Sequence, residues 1–201
     1  MVVLGGEMGA YDDEAHPWLT ATKSLIASTV RAGRPFLGIC LGHQLAAVAL
    51  GGTAETNPHG KASGLTPLGL TEAGSDDVLL GGVEDGAPAV MWNDDVVSWL
   101  PDGAVTLARS PDGTVQAARF GPRAWGVQFH PEASPDVFDG WTIAKPSAPD
   151  RSPAATTAAG RIRAAEPELR RHWEPLARRF AAIVLEWDAE HSRSPATTQL
   201  A

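Results

Sequence analysis

Residues 34 to 52, RPFLGICLGHQLAAVALGG, constrain the fold more than any other stretch of the chain. Arg34 to Ile39 is a short apolar run after Gly33, which suits a strand buried in a parallel sheet. Leu41 to Leu50 reads as a helix closed by Gly51 and Gly52. Cys40 stands between Gly38 and Gly42 on the turn that joins the two. A nucleophile-capable residue on a sharp strand-to-helix turn is the nucleophile-elbow arrangement, here G-x-C-x-G. The glycines let the turn tighten and leave no Cβ to crowd a substrate. The N-terminal dipole of the helix favours thiolate over thiol. On these residues alone the alternative is a buried structural cysteine beside two turn glycines.

The flanking sequence supplies the rest of a sheet. Val2 to Leu4 reads as the end of a buried strand running into a Gly5-Gly6 loop. Trp18 to Ala32 carries Leu19, Leu25, Ile26 and Val30 at helical spacing, completing a strand–helix–strand unit with the Cys40 strand. Gly51 to Pro88 is rich in Gly, Thr and Pro and reads as short, antiparallel strands and loops. Ala89 to Leu100 is a strand broken at Asn93 to Asp95. Val105 to Ser110, Val115 to Phe120 and Ala124 to Phe129 are three more strands, separated by Pro-Asp-Gly and Gly-Pro turns. Pro135 to Trp141 suits a short helix capped by Ser134.

Residues 145–160 read as a loop or linker, 161–191 as a C-terminal helical segment, and 192–201 as a disordered tail. In the helical segment Leu169, Trp173, Leu176, Phe180, Ile183, Val184 and Trp187 form one stripe to be packed on the sheet. The expected architecture is α/β: a single domain over 1–190, with a mixed, mainly parallel central sheet flanked by helices in flavodoxin-like layering.

Composition removes several function classes. A formal net charge of −8 argues against a general nucleic-acid or anionic-membrane surface. A single cysteine excludes an internal disulfide, and the start MVVLGGEMG has neither a basic n-region nor a long apolar run. No run approaches the ~18 apolar residues of a membrane span. The expectation is a cytoplasmic protein.

A cysteine nucleophile needs a base, and the base needs an orienting group. WGVQFHPE, residues 125–132, supplies both: His130 and Glu132 lie two apart at the end of a strand, so they face the same side. A carboxylate there can fix the imidazole tautomer and stabilise the imidazolium. Taken alone, a surface histidine beside a surface glutamate reads equally well. Of the other histidines, His43 suits packing, while His16, His59, His172 and His191 fall in loops or on the polar side of helices. No pair has metal-ligand spacing, so no metal site and no cofactor are expected.

LGICLGHQ around Cys40, QFHPE around His130 and an upstream strand ending in Gly-Gly together resemble the class I, triad-type glutamine amidotransferases. Within that family the chain is similar to stand-alone proteins resembling the glutamine amidotransferase domain of GMP synthase. The resemblance implies Cys40 as nucleophile, His130 as base and then acid, and Glu132 as its partner. It further implies Leu41 and Gly6 as backbone oxyanion donors and Gln44 as a contact to bound glutamine. The implied reaction is hydrolysis of the glutamine side-chain amide through a γ-glutamyl thioester, with the ammonia passed to a synthase partner. A γ-glutamyl peptidase or hydrolase using the same residues, and an inactive regulatory or binding remnant, are the alternatives. Three departures stand out. Met8 occupies a loop position where many members have glycine, and Asn93 one where many have histidine. The resemblance also implies a strand–helix–strand unit ahead of Val2 that these residues do not contain; either the start is assigned too late or the copy is truncated, and a sheet lacking that unit would expose an unpaired edge.

Overall fold

The computed structural model describes residues 1–143 and 153–192. Strand β1 (Val2–Val3) leads through the glycine loop to helix α1 (Trp18–Arg31). Then come β2 (Phe36–Ile39), α2 (Leu41–Ala49), β3 (Thr53–Thr56), β4 (Ala62–Pro67), β5 (Gly69–Leu70) and the short α3 (Glu72–Ser75). The strand-rich half follows as β6 (Pro88–Asn93), β7 (Asp95–Trp99), β8 (Val105–Arg109), β9 (Val115–Gly121) and β10 (Ala124–Val127). Helices α4 (Pro135–Ile143) and α5 (Pro153–Ser192) end the described chain.

Six strands form the central sheet in the order β1-β2-β10-β9-β8-β5. The sheet is mixed, as expected, but parallel pairing is confined to β1-β2 and β2-β10; the remaining neighbours are antiparallel. The parallel share is smaller than expected because β8, β9 and β10 are joined by tight turns, and a tight turn can only reverse a strand. Two further ladders, β3-β7 and β4-β6, stand beside the sheet.

Alternation along β2 assigns its two faces. Phe36 packs with Leu19, Ile26, Leu41 and Leu45 under α1 and α2. Leu37 and Ile39 belong to the larger cluster shared with Trp125, Val127, Phe129 and the α5 residues Leu169, Trp173 and Phe180. Helices thus cover both sides of the sheet, and burial of these side chains at about 25 cal/mol per Å² is the main force holding the layers.

Helix α5 corrects the expected linker. It starts at Pro153, so residues 153–160 are helical, while the rest of that segment and the tail beyond Ser192 lie outside the described residues. Ile162 is fully buried and Ala158 and Ala159 pack on the core. The small residues here give little periodic signal in sequence, yet Ala158 fits close against Gly64 of β4. Pro167 and Pro175 lie inside the helix. The loss of their backbone donors is offset by packing and by anchors such as Trp173 Nε1 donating to the Pro88 carbonyl at 2.8 Å. His172 also departs from expectation. It is buried on the inner side of α5, with Nε2 3.9 Å from Glu84 and 4.0 Å from Glu168.

Candidate active site

Cys40 ends β2 and begins α2 with φ 51° and ψ −107°, the only non-glycine residue of positive φ among the described residues. Such a conformation costs on the order of 1–3 kcal/mol and persists only when its surroundings enforce it. Here they do. The Cys40 N–H donates to Val127 O at 2.8 Å, and its carbonyl accepts from His43 N at 3.0 Å and Gln44 N at 3.1 Å. The sulfur therefore sits at the C-terminal end of a parallel strand and the N-terminus of a helix, where α/β sheets expose reactive groups.

Beyond β10 the chain turns at Phe129, and the His130 N–H donates to Val90 O at 2.8 Å. That bond fixes the loop so that His130 Nδ1 lies 2.7 Å from Glu132 Oε1. Nε2 is buried and has no hydrogen-bond partner among the described residues. Burial alone would push the imidazole down. The Cys40 sulfur and the Glu132 carboxylate outweigh it and hold His130 at about 9, above its ordinary 6.5. Trp141 of α4 packs on the ring, centroids 4.5 Å apart.

Because the folded value is the higher one, this group stabilises the fold fully below pH 6.5, and that contribution is lost as pH rises through about 9. Replacing Glu132 by glutamine is expected to lower the His130 midpoint, read from its imidazole signals in an NMR titration. An unmoved midpoint would remove Glu132 as the orienting group.

A cleft of about 370 Å³ opens over these groups, lined by Cys40, His130, Glu132 and Gln44 together with the Leu4–Gly9 loop. Trp92, Asn93, Asp94, Asp95 and Trp141 form its other wall. Of the residues expected from sequence, Cys40, His130, Glu132, Gly6 and Gln44 are thus brought to one place. Leu41 differs: it does not line the cleft, and its buried side chain packs in the α1 and α2 layer, reaching up to the back of Gly6. The closest approach of the glycine loop to the cysteine is by Gly5, where a Cβ would lie 3.5 Å from Cys40 Cβ and 3.1 Å from His130 Cε1. Met8 covers Gly6, its sulfur 2.7 Å from where a Gly6 Cβ would stand.

Sequence reasoning passed over Gln128, Trp92 and Trp141. Gln128 follows directly on β10, which ends at Val127, so its placement depends on the bend that follows and not on strand alternation. The two tryptophans carry no local signal either, because α4 and β6 meet the cleft only through tertiary packing.

His43 packs as expected. It is fully buried, its ring beside Phe120, and neither ring nitrogen has a hydrogen-bond partner among the described residues. Burial pushes it down to about 3 from 6.5. The unfolded chain binds this proton below pH 6.5 and the folded chain does not, so stability is lost as pH falls from 6.5 toward 3, by about 1.4 kcal/mol per pH unit. His43→Leu is expected to flatten that acid limb in urea denaturation at pH 5 relative to pH 7. An unchanged slope would contradict a buried neutral imidazole.

The sequence model of the family described as glutamine amidotransferase class-I matches residues 2–145. The glutamine-hydrolysing GMP synthase of Aeropyrum pernix is 35% identical over 147 residues, covering 70% of this chain and 26% of that protein. A separate GMP synthase (glutamine-hydrolysing) subunit from Methanosarcina barkeri is 40% identical over 103 residues, covering 50% of this chain and 51% of its own length. The match thus spans between a quarter and a half of the length of these relatives. Among solved structures, a glutamine amidotransferase from Thermotoga maritima superposes with a TM-score of 0.76 at 26% identity, covering 91% of this chain and 77% of that one. One from Methylobacillus flagellatus gives 0.74 at 26% identity, covering 90% and 74%.

Proposed function

Because the chain belongs to the class-I glutamine amidotransferase family, we propose that it hydrolyses the side-chain amide of glutamine, with Cys40 as nucleophile, His130 as base and then acid, and Glu132 as the group that orients His130. The observation that carries this reading is the His130–Glu132 pair, 2.7 Å apart, with the second imidazole nitrogen left free beside a cysteine on a strained elbow.

The Cys40 sulfur attacks the amide carbon of glutamine, forming a C–S bond and moving the carbonyl electron pair onto oxygen. The oxyanion is held by the backbone N–H of Leu41, in the first turn of α2 where helix donors lack an intrahelical acceptor, and by that of Gly6. Each such donor is typically worth ~3 kcal/mol of barrier. Collapse breaks the C–N bond, and His130 gives its proton to the departing nitrogen, releasing ammonia. Water then adds to the γ-glutamyl thioester, losing a proton to His130, and the C–S bond breaks to return the cysteine and free glutamate. Gln44 borders the space that the glutamine occupies. By analogy with the relatives named as synthase subunits, the ammonia passes to a synthase partner.

The test is release of ammonia and glutamate in equal amounts from glutamine by the purified protein. Turnover of γ-glutamyl peptides without glutamine turnover would reassign the chain as a γ-glutamyl hydrolase. Release from neither substrate, with or without a candidate synthase, would favour a non-catalytic role.

A further inference from the structure

A second polar chain reaches Cys40 independently of His130. Gln128 is wholly buried and Gln44 nearly so. Gln44 Nε2 donates to the Asp95 carbonyl at 2.8 Å and to Gln128 Oε1 at 3.2 Å. Gln128 Nε2 in turn donates to Cys40 Sγ at 3.7 Å. Asn93 Nδ2 donates to the same Asp95 carbonyl at 2.9 Å.

Side-chain amides can be turned either way, but this chain starts from a group that cannot. A backbone carbonyl only accepts, so Gln44 must turn its NH2 toward Asp95. The second N–H of that group then meets Gln128, which must present its oxygen. Gln128 is left with its NH2 toward the sulfur. Reversing Gln128 would set two donors against each other at Gln44 and a lone pair against Cys40, in a buried space where an unmade hydrogen bond is costly. From this we infer that the Gln44–Gln128 pair is a relay of fixed polarity that aims an N–H at Cys40 Sγ, making Gln128 a further residue of the catalytic machinery, one that holds the sulfur in its anionic form. The inference rests on Cys40 as the nucleophile, and it gives Gln44 a role in setting the sulfur's surroundings besides bordering the substrate space.

Cys40 is the only cysteine in the chain, so alkylation by iodoacetamide reports on that sulfur alone and needs no glutamine turnover. The charged or titratable groups around it are His130 and Glu132 after β10, Glu7 in the glycine loop, Asp94 and Asp95 between β6 and β7, and His43 on α2. All are retained in the variants. Gln128→Glu sets a carboxylate against the sulfur, and the pH profile of alkylation is expected to move upward by about one to two pH units, the size of a charge-assisted hydrogen bond. Gln128→Met removes the donor without adding charge and should move it less, in the same direction. Gln44→Met frees the Gln128 amide to rotate and should also raise it, which tests the relay rather than the single contact. Thermal unfolding identifies which variants fold, and the three substitutions differ enough that a misfolded one leaves the others decisive. Profiles that superimpose on the parent in the folded variants, or move downward, would overturn the relay. Lost glutamine turnover with an unmoved profile would overturn it too, while leaving the hydrolase assignment standing.

Discussion

Replacing Cys40 by alanine is expected to lower glutamine hydrolysis by about 10⁴-fold or more, to a level indistinguishable from solution without enzyme. The proposed route has no other nucleophile. Cys40 lies on the elbow with φ 51°, and among the described residues nothing else lining the cleft carries a thiol or a hydroxyl. Alanine has the smaller side chain and adds no strain of its own beyond what the elbow already imposes, so the fold should survive and the loss should fall on kcat. Stability measured alongside activity separates this from unfolding. Residual ammonia release matching the parent protein would exclude Cys40 as the nucleophile. The His130 pair would then have to activate water directly, which would leave the elbow without a purpose.

The second large effect is on stability. Gly38→Ala is expected to destabilise the protein by about 3 kcal/mol or more, lowering Tm by on the order of 10 °C. A methyl group on Gly38 would overlap the Gly42 carbonyl and lie 2.8 Å from His43 N. The obstruction is the backbone of α2, which cannot swing aside as a side chain could. Gly42 is as tightly held from the other direction, because a Cβ there would overlap the Val3 carbonyl and lie 3.1 Å from Val3 Cβ. Strand β1, strand β2 and helix α2 therefore make their closest backbone approaches at Gly38 and Gly42, beside the side-chain packing of Phe36 on Leu41 and Leu45. Gly160→Ala is the matched control. It sits in α5 with nothing within 4 Å of its Cβ position, so it should stabilise by about 0.5–1 kcal/mol. A neutral Gly38→Ala would mean that α2 packs more loosely on β2 than these distances state.

Much of the fold was legible because the local signals are strong. The run from Arg34 to Gly52 announced strand, turn and helix, and β8, β9 and β10 fall where short apolar runs alternate with Pro-Asp-Gly and Gly-Pro turns. The sequence paired His130 with Glu132 on the assumption of an extended strand, but β10 ends at Val127. The 2.7 Å pair is instead made in a turn, closed by Ala133 N–H donating to His130 O and held by His130 N–H donating to Val90 O. The early start of α5 was not legible, since the alanines and threonines between Pro153 and Ile162 give no clear stripe in sequence, and the contact of Ala158 with β4 is a tertiary one. Nor was the burial of His172, whose setting between Glu84 and Glu168 depends on which face of α5 meets the core.

Sequence by itself determined the chemistry that the cleft can hold. The elbow, the histidine and its carboxylate are each recognisable from neighbours one to four residues away, which the order of residues states directly. Only the tertiary structure decided how these pieces meet. It brought β10 beside β2, so that His130 arrives at Cys40 from a position ninety residues along the chain. It closed the cleft with Trp92 and Trp141. It also fixed the direction of the Gln44–Gln128 amides through a carbonyl at Asp95. The physical reason is that hydrogen-bond polarity and close packing depend on which atoms lie across a gap, and that is set by strand order and register rather than by the order of residues.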